Sequence, residues 1–428
     1  MQRMTTPTTV LDRRCCIVGG GPAGMMLGLL LARSGVDVVV LEKHSDFLRD
    51  FRGDTVHPST LELLHELGLL TAFLERPHQK LHELGGQLFG RRVRLADFSH
   101  LPTQARFIVL MPQWHFLDFI AEQARKETSF ELRMATEAVE LLRQGDQVVG
   151  VRATSPDGEL VVRSDLVIGA DGRSSLVREQ AGLSVRSFGA PMDVLWMQLS
   201  KRPNDPEQTL GYIEPGHLLI LLDRGSYWQC AFLIQKGGFE RLRRQPLSHL
   251  HGQLTQVVPF LSDRMTELAS WDDIKLLTVR VDRLDQWHRP GLLCIGDAAH
   301  AMSPIGGVGI NLAIQDAVAT ANLLAADLRR GAPTASSLGR VQRRRELPTR
   351  LTQAAQLRIQ NGLIGPTLAG TQQSVPLLAR WLDRSALLRR IPAWLIGVGV
   401  RAEHVAPNLI EPATGAERRY RSGARAGS

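Results

Sequence analysis

The sequence predicts an α/β protein: a mostly parallel sheet, an interleaved antiparallel-sheet domain and a C-terminal helical region. Three observations carry that reading. Near the start, the apolar segment "RCCIV" runs straight into "GGGPAG" and then into the helical pattern "AGMMLGLLLARSG". A second glycine-rich junction, "GDAAHAMSPIGGVGIN" at 296–311, again joins a short apolar segment to a long amphipathic pattern. Between them, strand-like segments with Gly, Pro or Asp breaks recur in 84–110 and 184–285, and after residue 330 the pattern is helical.

The bulk numbers narrow the class. A chain of 428 residues is too long for one small core and suits two or three closely packed lobes. The net charge of +8 comes from dispersed arginines, with local runs only at "RRGAPTASSLGRVQRRRELPTR" and "ERRYRSGARAGS". Those runs read as solvated helix faces and a frayed tail. They lack the aromatic interleaving of a single-strand groove and any recognition-helix motif, so no nucleic-acid partner is expected. A mildly positive field favours anionic ligands such as phosphates. The four cysteines, at 15, 16, 230 and 294, form no CxxC pair and suggest neither a disulfide framework nor a metal site. "MQRMTTPTTVLDRR" has no apolar signal core, and "MMLGLLLA" and "IPAWLIGVGV" fall short of the roughly 20 residues that span a bilayer. A cytoplasmic protein without stable membrane insertion is the expectation.

The first junction has a specific chemistry. Gly19-Gly20-Gly21-Pro22-Ala23-Gly24 lies between a strand and a helix, and a second strand, "VDVVVLE", ends at Glu42, followed by Lys43. Strand, glycine turn, helix, strand and acid make a Rossmann unit. Gly19 permits the tight turn, Gly21 lets backbone approach a pyrophosphate, and Gly24 lets the helix pack closely on the sheet. The pyrophosphate then meets the helix N-terminus, where free N–H groups and the dipole favour anions. Glu42 lies 18 residues past Gly24, close to the spacing for accepting ribose hydroxyls. The unit by itself fits NAD or FAD equally.

The second junction separates the two. "GLLCIG" forms a strand ending at Gly296-Asp297, and a second helix opens near Gly309-Ile310, beyond Pro304 and two further glycines. One dinucleotide can be gripped at both ends this way, its adenosine half on the first loop. Asp297 would bond a sugar-like chain, and a ring system would face the helix starting at Gly309. That arrangement suits FAD, because reduced flavin carries negative charge near N1 and O2, which a helix N-terminus stabilises. The competing reading, a plain strand-to-helix loop, leaves the glycine density unexplained. A third signal, "DLVIGADGRSSLVREQAGL", places Asp171-Gly172 at another strand end, where Asp171 could equally just cap the following short helix.

Taken together, Gly19–Gly24 with Glu42, Asp171-Gly172 with Arg178, and Gly296-Asp297 with Pro304 and Asn311 resemble the group A FAD-dependent aromatic hydroxylases, the para-hydroxybenzoate hydroxylase-like family. The resemblance covers roughly residues 13 to 330. It implies that Arg52, in "FRGDTVHPSTLELLHELGL", contacts the cofactor and that Gln113, in "MPQWHFLDFIAEQA", reaches the FAD linker. A surface salt bridge for Arg52 and a helix cap for Gln113 are the plain alternatives. The Asp171 turn is similar to a segment that touches both the FAD pyrophosphate and NAD(P)H, and the Gly309 and Ile310 amides would face the flavin pyrimidine edge. The implied activity is monooxygenation: NAD(P)H reduces FAD, O2 gives a flavin C4a-hydroperoxide, and one oxygen passes to an aromatic or polycyclic small molecule. No side chain is assigned as catalytic; His300 reads as a packing residue of the motif or a proton relay. With only Tyr212, Tyr227 and Tyr420 present, the archetype's pair of substrate-facing tyrosines has no secure counterpart, which argues against a simple phenolic acid. A reductase or halogenase on the same scaffold, or a flavin-binding protein without turnover, are the alternatives; the Trp-x-Trp-x-x-Ile-Pro signature of halogenases is absent.

The expected organisation is a discontinuous FAD-binding domain (1–83, 111–183 and 286–330), a substrate-binding sheet domain (84–110 and 184–285) with a helical insert near 239–270, and a helical region at 331–428. Trp196, Met197, Trp228 and Phe232 lie on strands of the second domain; together they could wall an apolar pocket, but core packing is the expectation for any single one. "LLRRIPAWLIGVGV" (387–400), interrupted by Pro392 and two glycines, is expected to pack over the substrate domain and close its pocket rather than to lie on a membrane.

Overall fold

A computed structural model describes residues 8–48, 55–206 and 210–410. Its first sheet has eight strands. Four neighbouring pairs run parallel, joining in order Leu292–Cys294, Gly158–Gly169, Thr9–Val18, Val38–Leu41 and Phe130–Arg133. Both faces of a parallel sheet are covered, so its strands are apolar without alternation, and all of Val38–Leu41 is buried. Strands Gln147–Ser155 and Glu137–Gln144 extend the long strand Gly158–Gly169 as an antiparallel meander, with a tight turn at Pro156-Asp157.

Helix Pro22–Arg33 is buried along the whole of residues 23–32, because it packs on Gly309–Arg330 and Gln113–Ala124 as well as on the sheet. The one helical stretch among the described residues long and apolar enough to cross a bilayer, Ile305–Arg330, is mostly buried in this core.

A second sheet of seven strands runs in the order Lys275–Leu277, Met192–Ser200, Tyr227–Gln235, His217–Asp223, Leu210–Glu214, Glu83–Leu88 and Arg91–Asp97. All its pairs are antiparallel except Leu210–Glu214 with Glu83–Leu88, which joins segments more than 120 residues apart. Side chains alternate across it. Met197, Trp228 and Phe232 point to the face covered by helix Leu247–Val257 and the 3₁₀ segment Pro259–Glu267, and pack there as core. Trp196 points to the other face, with Val194, Leu218, Ala231, Leu233 and Ile305. The "RFIVLM" segment, Ile108–Leu110, pairs instead with Thr55–Val56 and Gln79–Leu81 in a separate three-stranded sheet.

The region after 330 is helical as expected, with two differences from the sequence reading. Arg345, in the run read as a solvated face, is 1% exposed, because its guanidinium meets two acids from elsewhere in the chain. Helix Ala386–Gly397 runs through Pro392 unbroken, since one proline removes one backbone bond and the remaining contacts hold the helix. Its buried stripe is Arg389, Ala393 and Gly397, set against strand Arg91–Asp97, while Leu387, Ile391, Trp394 and Leu395 face solvent.

Candidate functional site

The site is built where four parallel strands end in one row. Leu41, Val18, Gly169 and Cys294 are register partners across adjacent strands, so the segments that follow them converge at one edge of the sheet. In open parallel sheets that edge is where ligands bind. The convergent segments are Glu42-Lys43, Gly19–Gly24, Ala170–Gly172 and Gly296-Asp297.

Backbone geometry explains the glycines. Gly19 has φ +108°, and a Cβ there would lie 2.3 Å from the Ala170 carbonyl oxygen. At Gly24 a Cβ would sit 2.0 Å from the Gly19 carbonyl oxygen, so only glycine lets the helix start so close to the turn. Gly21 is different: nothing lies within 4 Å of its Cβ position, which leaves its backbone open to approach. Gly20 donates its N–H to Glu42 Oε2 at 2.9 Å, and His44 N–H donates to Oε1 at 3.1 Å, so the buried acid braces the turn. Lys43 beside it is exposed.

Electrostatics favour an anion at two points. Helices Pro22–Arg33 and Gly309–Arg330 both begin without a side-chain cap and without an acid in the first turn. Their first N–H groups therefore stay available, and their dipoles point positive charge into the site. Gly306 and Gly307, at φ +75° and +63°, turn the chain from exposed Pro304 into Gly309 and Ile310. Asn311 fastens this turn: its Oδ1 accepts from His57 N–H at 3.2 Å and from Thr60 Oγ at 2.7 Å. Gln113 is the first residue of its helix and is half-buried.

Asp297 lies 3.3 Å from Arg173 Nη2 in a partly exposed ion pair. Asp171 accepts from Ser175 Oγ and from Val177 N–H at 3.1 Å, the contacts of a helix cap. Burial pushes its carboxyl up, with those hydrogen bonds pulling the other way. Arg178, also buried, reaches Asp282 Oδ1 at 3.2 Å and so ties the turn to the strand Asp282–Leu284. Arg52 lies outside the described residues.

A buried charge cluster behind the second junction is absent from the sequence reading. His300 Nε2 is 2.6 Å from Asp316 Oδ2, which also accepts the Gly296 N–H at 3.0 Å. Arg345 Nε meets Asp316 Oδ1 at 3.0 Å, and its Nη1 meets Glu403 Oε1 at 3.3 Å. Burial pushes the Asp316 carboxyl up, but His300 and Arg345 outweigh it and hold the group below its ordinary range. The available signal was Asp316 itself, a lone acid on the apolar stripe of "INLAIQDAVATA". The His300 ring lies against Trp287, 5.0 Å between ring centroids and tilted by 43°, and is 1% exposed, the placement of a packing residue.

The chain matches the family described as FAD binding domain over residues 12–355. It is 34% identical over 388 residues to 6-methylpretetramide 4-monooxygenase of Streptomyces rimosus, covering 88% of this chain and 91% of that one. It is 28% identical to dialkyldecalin synthase of Streptomyces rugosporus, covering 74% of this chain and 66% of that one. Among solved structures it is similar to PqsL, described as a probable FAD-dependent monooxygenase from Pseudomonas aeruginosa, with TM-score 0.71 and 24% identity over 84% of this chain and 98% of that one.

Proposed function

This chain belongs to the FAD-dependent aromatic hydroxylase family, and on that premise we propose that it hydroxylates an aromatic or polycyclic small molecule with NAD(P)H and O2. The observation that carries the reading is the pair of uncapped helix N-termini converging on one sheet edge. That edge suits a ligand with an anionic middle and an electron-accepting ring at one end. The balanced reaction is ArH + O2 + NAD(P)H + H⁺ → ArOH + H2O + NAD(P)⁺. Bound FAD would supply the redox chemistry, accepting hydride and activating oxygen.

The residues have separate tasks. Gly20, Gly21, Pro22, Ala23 and Gly24 would seat the pyrophosphate at the first helix, and Glu42, with Lys43 beside it, would receive the adenosine ribose. Asp297 would bond the ribityl chain, Gln113 would reach the linker, and the turn from Pro304 to the Gly309 and Ile310 amides would hold the ring. Asp171 acts by fixing its turn. The apolar cluster that includes Trp196, Leu218, Leu233 and Ile305 would keep water from the reacting edge. The parallel sheet serves as the cofactor domain and the seven-stranded sheet as the substrate domain.

Steady-state NAD(P)H oxidation by the FAD-loaded protein, stimulated by an aromatic ligand and giving product labelled from ¹⁸O2, tests this. Ligand binding with no NAD(P)H oxidation would instead favour a flavin-binding protein without turnover.

A further inference from the structure

We infer that Gly211 sets how many fused rings this protein accepts, by leaving the substrate-facing sheet bare at one position; this rests on the proposed aromatic substrate. Gly211 lies inside the strand Leu210–Glu214, with ladder partners on both sides, Ile220 and Gly86. Glycine weakens a strand interior, so its presence calls for a cause. Two causes account for its neighbours: a Cβ at Gly85 would meet the Val93 carbonyl oxygen at 2.6 Å, and one at Gly86 the Gly211 carbonyl oxygen at 2.2 Å. Neither applies at Gly211. Its φ lies outside the left-handed region, and the nearest atom to its Cβ position is the Gly85 carbonyl oxygen at 4.0 Å. A Cβ could be built there without a clash, so neither backbone strain nor close approach accounts for the glycine.

Register shows what that space adjoins. Across the sheet Gly211 pairs with Ile220, Ile220 with Ala231, and Ala231 with Trp196, so the four share one row on one face. The row belongs to the apolar cluster that also contains Ile305, from the turn leading into Gly309. It spans three inter-strand steps, about 14 Å at about 4.8 Å each. Along it the side chains read glycine, isoleucine, alanine, indole: bare at one end, walled at the other, and without charge. Tyr212, the next residue, is turned by the strand's alternation into the core on the opposite face. A flat molecule of several fused rings laid along this row would place its far rings over Gly211. A single-ring ligand held near Trp196 and Ile305 would not reach it.

The test compares FAD-loaded wild type, Gly211→Ala and Gly211→Leu, with para-nitrophenol and anhydrotetracycline as one-ring and four-ring probes in equilibrium dialysis. Wild type should bind the four-ring probe more tightly. Gly211→Leu should raise Kd for that probe at least 10-fold and for para-nitrophenol less than 2-fold. Gly211→Ala should raise the melting temperature of the ligand-free protein, showing that glycine is kept against stability. Equal shifts for both probes, no shift for the four-ring probe, or a lower melting temperature for Gly211→Ala overturns the inference. If wild type binds neither probe, the aromatic reading fails and this inference with it, an outcome told apart because it appears before any variant is made.

Discussion

Arg173 and Asp297, 124 residues apart in the chain, meet at 3.3 Å and bridge the Asp171 turn to the second glycine-rich junction. Both side chains keep about a third of their surface in solvent (31% and 30%). A pair that wet contributes little to stability, so it can open for a ligand at small cost. Asp297 is thus held in place while remaining available.

Asp297→Ala is expected to cost FAD, or to release hydrogen peroxide in place of product, and to do so more severely than Glu42→Ala. FAD content of the purified variant and its peroxide yield per NAD(P)H measure this. Full FAD occupancy together with full coupling would reduce Asp297 to its ion pair.

Glu42→Ala should weaken FAD binding by roughly 1–3 kcal/mol through lost charge-assisted hydrogen bonds. It also removes the acceptors for the Gly20 and His44 amides, so the turn loosens. Titration of apoprotein with FAD checks it, and an unchanged Kd would count against the ribose role.

His57 makes stability sensitive to acid. Its ring is fully buried, and Nδ1 lies 2.8 Å from the Ile396 carbonyl oxygen. A carbonyl only accepts, so Nδ1 carries the proton, and Nε2 has no partner among the described residues. Burial pushes the folded pKa down to about 4, the Ile396 bond opposing it, against an ordinary 6.5. As pH falls below 6.5 the unfolded chain takes the proton first, so stability declines from there to about pH 4, by about 3 kcal/mol in all. Urea midpoints at pH 7, 5.5 and 4.5 should show this decline in wild type and a flatter one in His57→Gln; parallel slopes would remove His57 from the account.

Arg345→Ala should destabilise the protein by about 3 kcal/mol, because Asp316 and Glu403 lose their shared buried cation and keep only His300 and Arg344 beside them. Denaturant unfolding reads the loss directly. A change below about 1 kcal/mol would mean that water or another cation replaces the guanidinium.

The glycine turns were legible in the sequence because backbone needs there are written as residue identity: nothing but glycine fits 2.3 Å from the Ala170 carbonyl oxygen. The parallel and antiparallel sheets were legible for a similar reason, since continuous and alternating apolar patterns reflect two-sided and layered burial. The Arg345 cluster was not. Whether an arginine in a basic run is solvated or buried depends on Asp316 and Glu403, 29 and 58 residues away, and local pattern carries no trace of that. Trp196 and Trp228 were legible in part. Counting by two along their strands separates the faces, but choosing which face meets helix Leu247–Val257 needs the tertiary fold. The outward Leu387 and Ile391 escaped for the same cause: the stripe that packs is the small one, Ala393 and Gly397.

The row formed by Leu41, Val18, Gly169 and Cys294 also dictates when, during synthesis, this protein can acquire its cofactor. The first turn leaves the ribosome early and Val38–Leu41 soon after it, yet the strand on its other side arrives about 150 residues later and the last strand of the row later still. The second helix N-terminus, at Gly309, follows that. Pairings so distant in sequence are slow to close and leave strand edges open meanwhile. A nascent chain stopped before Gly309 holds the first glycine turn but not the second uncapped helix start. Capture of a flavin by both helix ends therefore cannot precede the last third of translation.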